Sequence, residues 1–265
     1  MAGKRIEKSV EIHATAGEVW EALSNAEELK RWFPLDARVR PGEGGALWLS
    51  WGEGSDWETP IEVWQPGKHL RTVDTTAVEG GEPRRVAVDY LIEAQGGGTT
   101  VLRLVHSGFA NDTWDDELDS MGAGWAAFLA HLKHYLEHHR GQARTLAYVR
   151  HEPVELPRRE VFMRTTAALG IAEPEGLQPG MRLSAVTREG DRFEGFVKVA
   201  APPINISGSV ENWNDGFLMI EIEPGRTRCR PAIWLSLYGK ARGEAESVQQ
   251  RLRKLLQDEF PSTER

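Results

Sequence analysis

With a single cysteine, Cys229, among 265 residues, the chain can form no internal disulfide, and its fold must rest on packing. It also has no apolar run near the roughly 18 residues that a membrane-spanning helix needs. Its opening, MAGKRIEKSVEI, lacks the apolar core of a secretion signal; together with the lone cysteine this points to the cytoplasm. Compact catalytic signatures are missing as well: there is no glycine-rich phosphate loop, no GxSxG, no HExxH and no paired cysteine spacing. An enzyme would have to work with scattered groups, so the residues speak for binding rather than catalysis, with no cofactor and no metal. Positive charge is scarce in the first half. Residues 1–141 hold 14 Lys+Arg against 23 Asp+Glu, a net −9, and residues 142–265 hold 18 against 17, a net +1. Such an acidic half repels phosphate backbones and anionic headgroups, so neither nucleic acid nor a membrane is an expected partner.

Tryptophan is what the first half has in excess: eight of the ten lie there, leaving Trp213 and Trp234 to the second. A cavity walled by large rings therefore belongs in the first half. The chain there is organised around Glu117–His139, which has the period of a long amphipathic helix. Trp125, Phe128, Leu129, Leu132 and Leu136 form one stripe, and His131, His134 and His138 fall roughly opposite. That stripe needs cover, and the strand-like text before it supplies the apolar surface.

Residues 5–14 alternate as a half-buried strand, with Lys8 out of place on its apolar side. Thr15, three residues before Glu18, has capping-box spacing and predicts a helix over 16–24; a second short helix fits 26–32, stopped by Pro34. Strand candidates follow at 45–51, 59–64, 69–75, 85–93 and 99–106, joined by glycine-rich turns that include 79–82 and 96–98. Short joints make neighbours antiparallel. Residues 140–157 read as a polar linker ending in Pro153 and Pro157. Beyond it come a helix over 159–169, strands at 181–188, 192–200, 204–212, 216–223 and 229–238, and a final amphipathic helix over 244–260.

This order, with VEIHATAGEVWEALSNAEELKRWF near the start and GWAAFLAHLKHYLE on the long helix, resembles the START-like helix-grip (SRPBCC) superfamily, in particular the branch related to the activator of the heat-shock-protein ATPase. The resemblance covers about residues 5–140. It implies an α+β fold in which an antiparallel sheet wraps a long C-terminal helix. Repetition of helix, strands and long helix suggests two tandem copies: a helix-grip domain over 1–141, a linker over 142–157, and a degenerate copy over 158–265 without an obvious first strand.

In the resembling family the ligand lies between helix and sheet. The implied ligand-binding set is Trp125, Phe128, Leu129 and Leu132 from the helix, with Trp48, Trp64, Tyr90, Leu102, Leu104 and His106 from the strands. A one-residue register slip would turn any of these strands over. The implied function is to hold a small hydrophobic or aromatic ligand. The resemblance offers two alternatives: a protein-interaction module that binds a chaperone, or a cyclase- or hydrolase-like enzyme using His106 and Tyr90. The histidine spacing on the helix permits a metal site, but a solvated polar face explains it better. The acidic stretch 111–119 suits a helix N-terminus, where the dipole favours negative charge by about 0.3–1 kcal/mol per group. With Trp114 it could also guard a cavity mouth.

Overall fold

Thr15 starts the first helix by the device its spacing predicts. Its hydroxyl accepts from the Glu18 amide at 3.3 Å while the Glu18 carboxylate accepts from the Thr15 amide at 2.7 Å, fixing α1 at Ala16–Ser24. Asn25 then ends α1 and caps α2 (Ala26–Leu29), its side chain accepting from the amides of Glu27 and Glu28. Trp32, 1% exposed, donates its indole N–H to the Ala22 carbonyl at 2.9 Å and clamps the turn after α2 onto α1.

In the computed structural model, residues 4–52, 54–76, 83–109, 115–225, 228–239 and 242–261 are described, and the chain divides into two compact units, Met1–Gly141 and Gln142–Arg265. The turn read at 79–82, the residues 110–114 and hence Trp114 lie outside the described residues. No described helix is long and apolar enough to cross a membrane.

The first unit is a seven-stranded antiparallel sheet over which one long helix lies. Its strands are β1 (Lys4–Ile12), β2 (Asp36–Arg40), β3 (Ala46–Ser50), β4 (Asp56–Gln65), β5 (His69–Thr76), β6 (Arg84–Gly96) and β7 (Thr99–Phe109), in the order β1-β7-β6-β5-β4-β3-β2. Strand β2, DARVR, alternates Ala37 and Val39 with three charged residues and has no counterpart among the strands expected from sequence; as the outermost strand it has solvent beside it and can carry Arg38 and Arg40 exposed. The helix α3 (Asp115–His134) runs in the same direction as β1 and is pinned along its length. Lys4 pairs with Asp115 at 2.6 Å, Lys133 donates to the Glu11 carbonyl at 2.6 Å, and Glu137 accepts from the His13 amide at 2.8 Å. Both elements advance about 30 Å between those pins, so they stay in step.

Lys8 does face the helix, as its misplaced position in the alternation implies. Its ε-carbon lies 3.8 Å from where a Cβ on Gly122 would stand, so the lysine stem packs beside the helix at this glycine. The last turn, Tyr135–His139, is a π-helix. His131, His134 and His139 are buried at 4–5% exposure, and of the four histidines only His138 is exposed, which corrects the expectation of a solvated face.

The second unit has the same strand and helix order. Strand β8 (Arg144–Arg150) leads into α4 (Arg158–Ala168), then β9 (Arg182–Val186), β10 (Arg192–Ala201), β11 (Asn205–Val210), β12 (Gly216–Glu223) and β13 (Arg230–Tyr238), closed by α5 (Arg242–Glu259). The sheet order β8-β13-β12-β11-β10-β9 again pairs the first strand with the last. So the stretch 142–157 is not only a linker: it holds the first strand of the second copy, which corrects the expectation that this copy lacks one. Its sequence RTLAYVR gains a partner only through β13, with Thr145 opposite Leu237 and Val149 opposite Ile233. The core of this unit is continuous and mostly aliphatic: Val248, Leu252 and Leu256 of α5 and Phe162 of α4, each at 0%, close over Ile220, Leu235 and Leu237. Cys229 is part of this core and is buried.

An irregularity in β7 sets the placement of two rings. Lys4 pairs with Phe109 but Arg5 with Ser107, so Gly108 is an extra residue, with φ of 91°. The bulge brings His106 and Phe109, three positions apart, to one face with ring centroids 4.6 Å apart. A Cβ at Gly108 would stand 1.9 Å from the Arg85 carbonyl oxygen. Gly108→Ala is therefore expected to lose at least the roughly 1–3 kcal/mol of the backbone conformation alone, read as a lower urea midpoint at unchanged slope.

Candidate functional site

Register decides which sequence candidates meet. Across β6, β7 and β1 the pairs Ile92–Leu102–Val10, Tyr90–Leu104–Lys8 and Val88–His106–Ile6 stand in three successive rows on the face turned toward α3. Leu70 extends the Tyr90 row into β5 and Trp64 extends it into β4. Leu102 and Leu104, both 0% exposed, form the floor; Leu129 and Leu132 of α3, at 3% and 0%, close one end as ordinary core. Trp64 is half-buried and meets the edge of Trp20 from α1 at 4.9 Å.

Trp48 lies on the other face. It pairs with Arg38 and Glu58, and the Arg38 guanidinium sits over its ring at 4.4 Å. The physical reason is a bulge between Ile61 and Val63 in β4, which shifts the alternation by one across the sheet. Ile61 and Trp64 both face α3, and counting back from Ile61 puts Leu47, 5% exposed, inward in place of Trp48.

Trp125, Phe128, Tyr90 and His106 do come together, and rings absent from the sequence set join them. Phe33, from the turn after α2, is the hub: 4.8 Å from Phe128, 5.8 Å from Trp125, 5.3 Å from Trp51 and stacked on Trp32 at 4.9 Å. Trp51 in turn meets Trp57, which is 55% exposed. Most of these contacts are edge-to-face, the arrangement that suits the ring quadrupoles and is worth about 0.5–1.5 kcal/mol per pair. Phe33 is buried at 4%, but Trp51, Trp125, Phe128 and His106 are only half-buried. The aromatic file thus runs from an exposed ring at the rim to Tyr90 and His106 inside the grip. The sequence signal for its hub is the Trp32-Phe33-Pro34 run, which by itself marks only the end of α2.

Among the described residues, one hydrogen bond links the polar groups of this site. The Trp125 indole donates to His106 Nδ1 at 3.0 Å. An indole nitrogen can only donate, so Nδ1 is the unprotonated nitrogen and the imidazole is neutral with its proton on Nε2. Burial acts in the same direction and pushes the His106 pKa down to about 4. Burial also raises the pKa of Tyr90, so the phenol stays protonated.

A second concavity, about 710 Å³, opens between α1, α2 and the end of α3, with Thr15, Glu18, Glu21, Glu28, Leu136 and Arg140 among its walls. Its polar groups already serve the fold. Glu18 caps α1 and pairs with Arg140, and Glu28 pairs with Arg31 and accepts from the Tyr135 hydroxyl at 2.5 Å. Glu137, in the turn that carries His138 and His139, bonds to Lys133 and the His13 amide.

Residues 13–137 match the family model described as Activator of Hsp90 ATPase homolog 1-like protein. Among solved structures, the Aha1 dimer from Colwellia psychrerythraea is 22% identical, covering 52% of this chain and 99% of that one, with a TM-score of 0.44. DynU16, from the dynemicin biosynthetic locus, is 19% identical over 96% of this chain and 98% of its own, with a TM-score of 0.43. The di-domain ARO/CYC BexL, from the BE-7585A biosynthetic pathway, is 14% identical over 98% and 100%, with a TM-score of 0.44. No curated protein matches the chain.

The depressed His106 pKa has a thermodynamic consequence. Between the ordinary value near 6.5 and about 4, the unfolded chain holds a proton on this ring that the folded chain does not. Stability from this group is intact above pH 6.5 and falls as pH drops toward 4, by on the order of 3 kcal/mol in total. Urea unfolding at pH 7.0, 5.5 and 4.5 should show a steeper decline for the wild-type chain than for His106→Gln.

Proposed function

We propose that this protein, whose residues 13–137 match the family model of the activator of Hsp90 ATPase homolog 1-like proteins, holds a small, flat, aromatic ligand between the long helix and the sheet of its first unit. The observation that carries this reading is the half-exposed aromatic file of Trp51, Trp125, Phe128 and His106 around Phe33. Rings that served only as core would be sealed, as Leu129 and Leu132 are on the same helix. Large, partly open ring faces next to a few polar groups are what a site for a planar ligand requires. The second unit supports the assignment by contrast: its helix grips a closed, mostly aliphatic core.

A second reading rests on the family match itself, whose name is that of a chaperone-ATPase activator: a chaperone would be the protein partner. Stimulation of a cognate Hsp90 ATPase by the purified chain would favour it, and no change at micromolar concentration would count against it.

Ligand binding is tested by titrating the chain with 1-anilinonaphthalene-8-sulfonate and with neutral two- and three-ring aromatics while following tryptophan emission. Saturable quenching at micromolar concentration is expected. Trp125→Ala, which removes the ring that spans Phe33, Tyr90 and His106, should weaken binding by about tenfold or more. Linear, non-saturating quenching by every probe would sink the proposal.

A further inference from the structure

Two side chains that face the grip each carry a donor with no acceptor among the described residues. Tyr90 is 6% exposed, and no described residue hydrogen-bonds its hydroxyl. His106 has spent Nδ1 on the Trp125 indole, which leaves Nε2 as a donor with no acceptor among the described residues. Tyr90 stands opposite Leu104, and His106 opposite Val88, so the two are diagonal neighbours on adjacent strands, on the same face. Diagonal neighbours lie about 7–8 Å apart at the backbone, within reach of one shared atom for side chains of this length. Trp125 stands edge-on to both rings, 6.2 Å from Tyr90 and 6.0 Å from His106, and so fixes where a flat molecule would lie.

A donor set in a mostly apolar wall gains about 0.5–1.5 kcal/mol net from a well-placed acceptor, so two such donors on one face select for a group that can accept from both. We propose that the Tyr90 hydroxyl and the His106 Nε2–H form a two-donor clamp for a single neutral oxygen. The ligand class is then a planar aromatic carbonyl compound, a ketone or quinone, rather than a hydrocarbon or an amine. This rests on the ligand-binding reading above and narrows it. Both donors stay uncharged at neutral pH, which suits a carbonyl oxygen. The net −9 of residues 1–141 weighs against an anion, and Lys8, facing the helix in the same row as Tyr90, is the one group of this set that would favour one.

The test uses a matched pair of probes on the full chain, 2-acetonaphthone and 2-ethylnaphthalene, alike in shape and differing in the carbonyl, with 2-naphthoate as the anionic control. The ketone should bind about tenfold more tightly than the hydrocarbon. Tyr90→Phe and His106→Phe should each bring that ratio toward one. In the wild-type chain the ketone should also shift the Nε2 resonance of His106 in a nitrogen-15 spectrum, while the hydrocarbon should not; this readout needs no variant to fold. Equal affinity for the ketone and the hydrocarbon, a ratio that survives both substitutions, or tighter binding of naphthoate than of the ketone overturns the clamp while leaving ligand binding intact. Failure of all three probes to bind would overturn both.

Discussion

The first unit depends on one piece of packing: α3 laid along β1, in step over about 30 Å and pinned at both ends. Lys4 with Asp115 holds the start, and Lys133 and Glu137, against Glu11 and His13, hold the far end. Between these pins the helix carries small residues, Gly122, Ala123, Gly124 and Ala127, all buried, which let it approach the sheet closely. The surface ion pair contributes little by itself, about 0–1 kcal/mol. Its importance is positional, because a fixed helix fixes the rotation of its apolar stripe. The C-terminal half of the stripe, Leu129, Leu132 and Leu136, seals against the sheet, and the N-terminal half, Trp125 and Phe128, stays part-open.

That difference along a single helix separates core from candidate site. Leucines at the closed end fill space without polar atoms. At the open end, rings meet edge-to-face around Phe33, and Trp51, Trp125 and Phe128 stay half-buried. The Trp125–His106 bond adds direction to an otherwise apolar wall by settling which imidazole nitrogen carries the proton. The second unit reaches the same strand order and wraps its own helix, yet fills its interior with Leu, Ile and Val. One topology thus carries two kinds of interior, and side-chain choice on the inner faces makes the difference.

Sequence reveals an element when the groups that define it are neighbours in the chain. The Thr15–Glu18 box gives α1 its bounds, and the glycine turn at 96–98 ends β6 near its true limit, because each depends on groups within a few residues. Elements that exist only through distant partners are not legible in this way. Strand β8 looks like a linker because RTLAYVR, flanked by charge, gains its pairing from β13 some 90 residues later; β2 is obscured for another reason, since three charged residues in five mask a local hairpin with β3.

The candidate site divides the same way. The sequence by itself determined that a long apolar stripe, an excess of tryptophan and a run of antiparallel strands would meet in the first half, since periodicity and composition are properties of the chain. It also supplied Tyr90, His106, Trp125 and Phe128. Only the tertiary structure decided which face each ring shows, because two bulges shift the alternation. The one in β4 turns Trp48 outward beneath Arg38, and Gly108 in β7 brings His106 and Phe109 together. A bulge changes a side chain's face through one extra residue in a pairing, and pairing is a relation between strands that no single stretch of sequence contains.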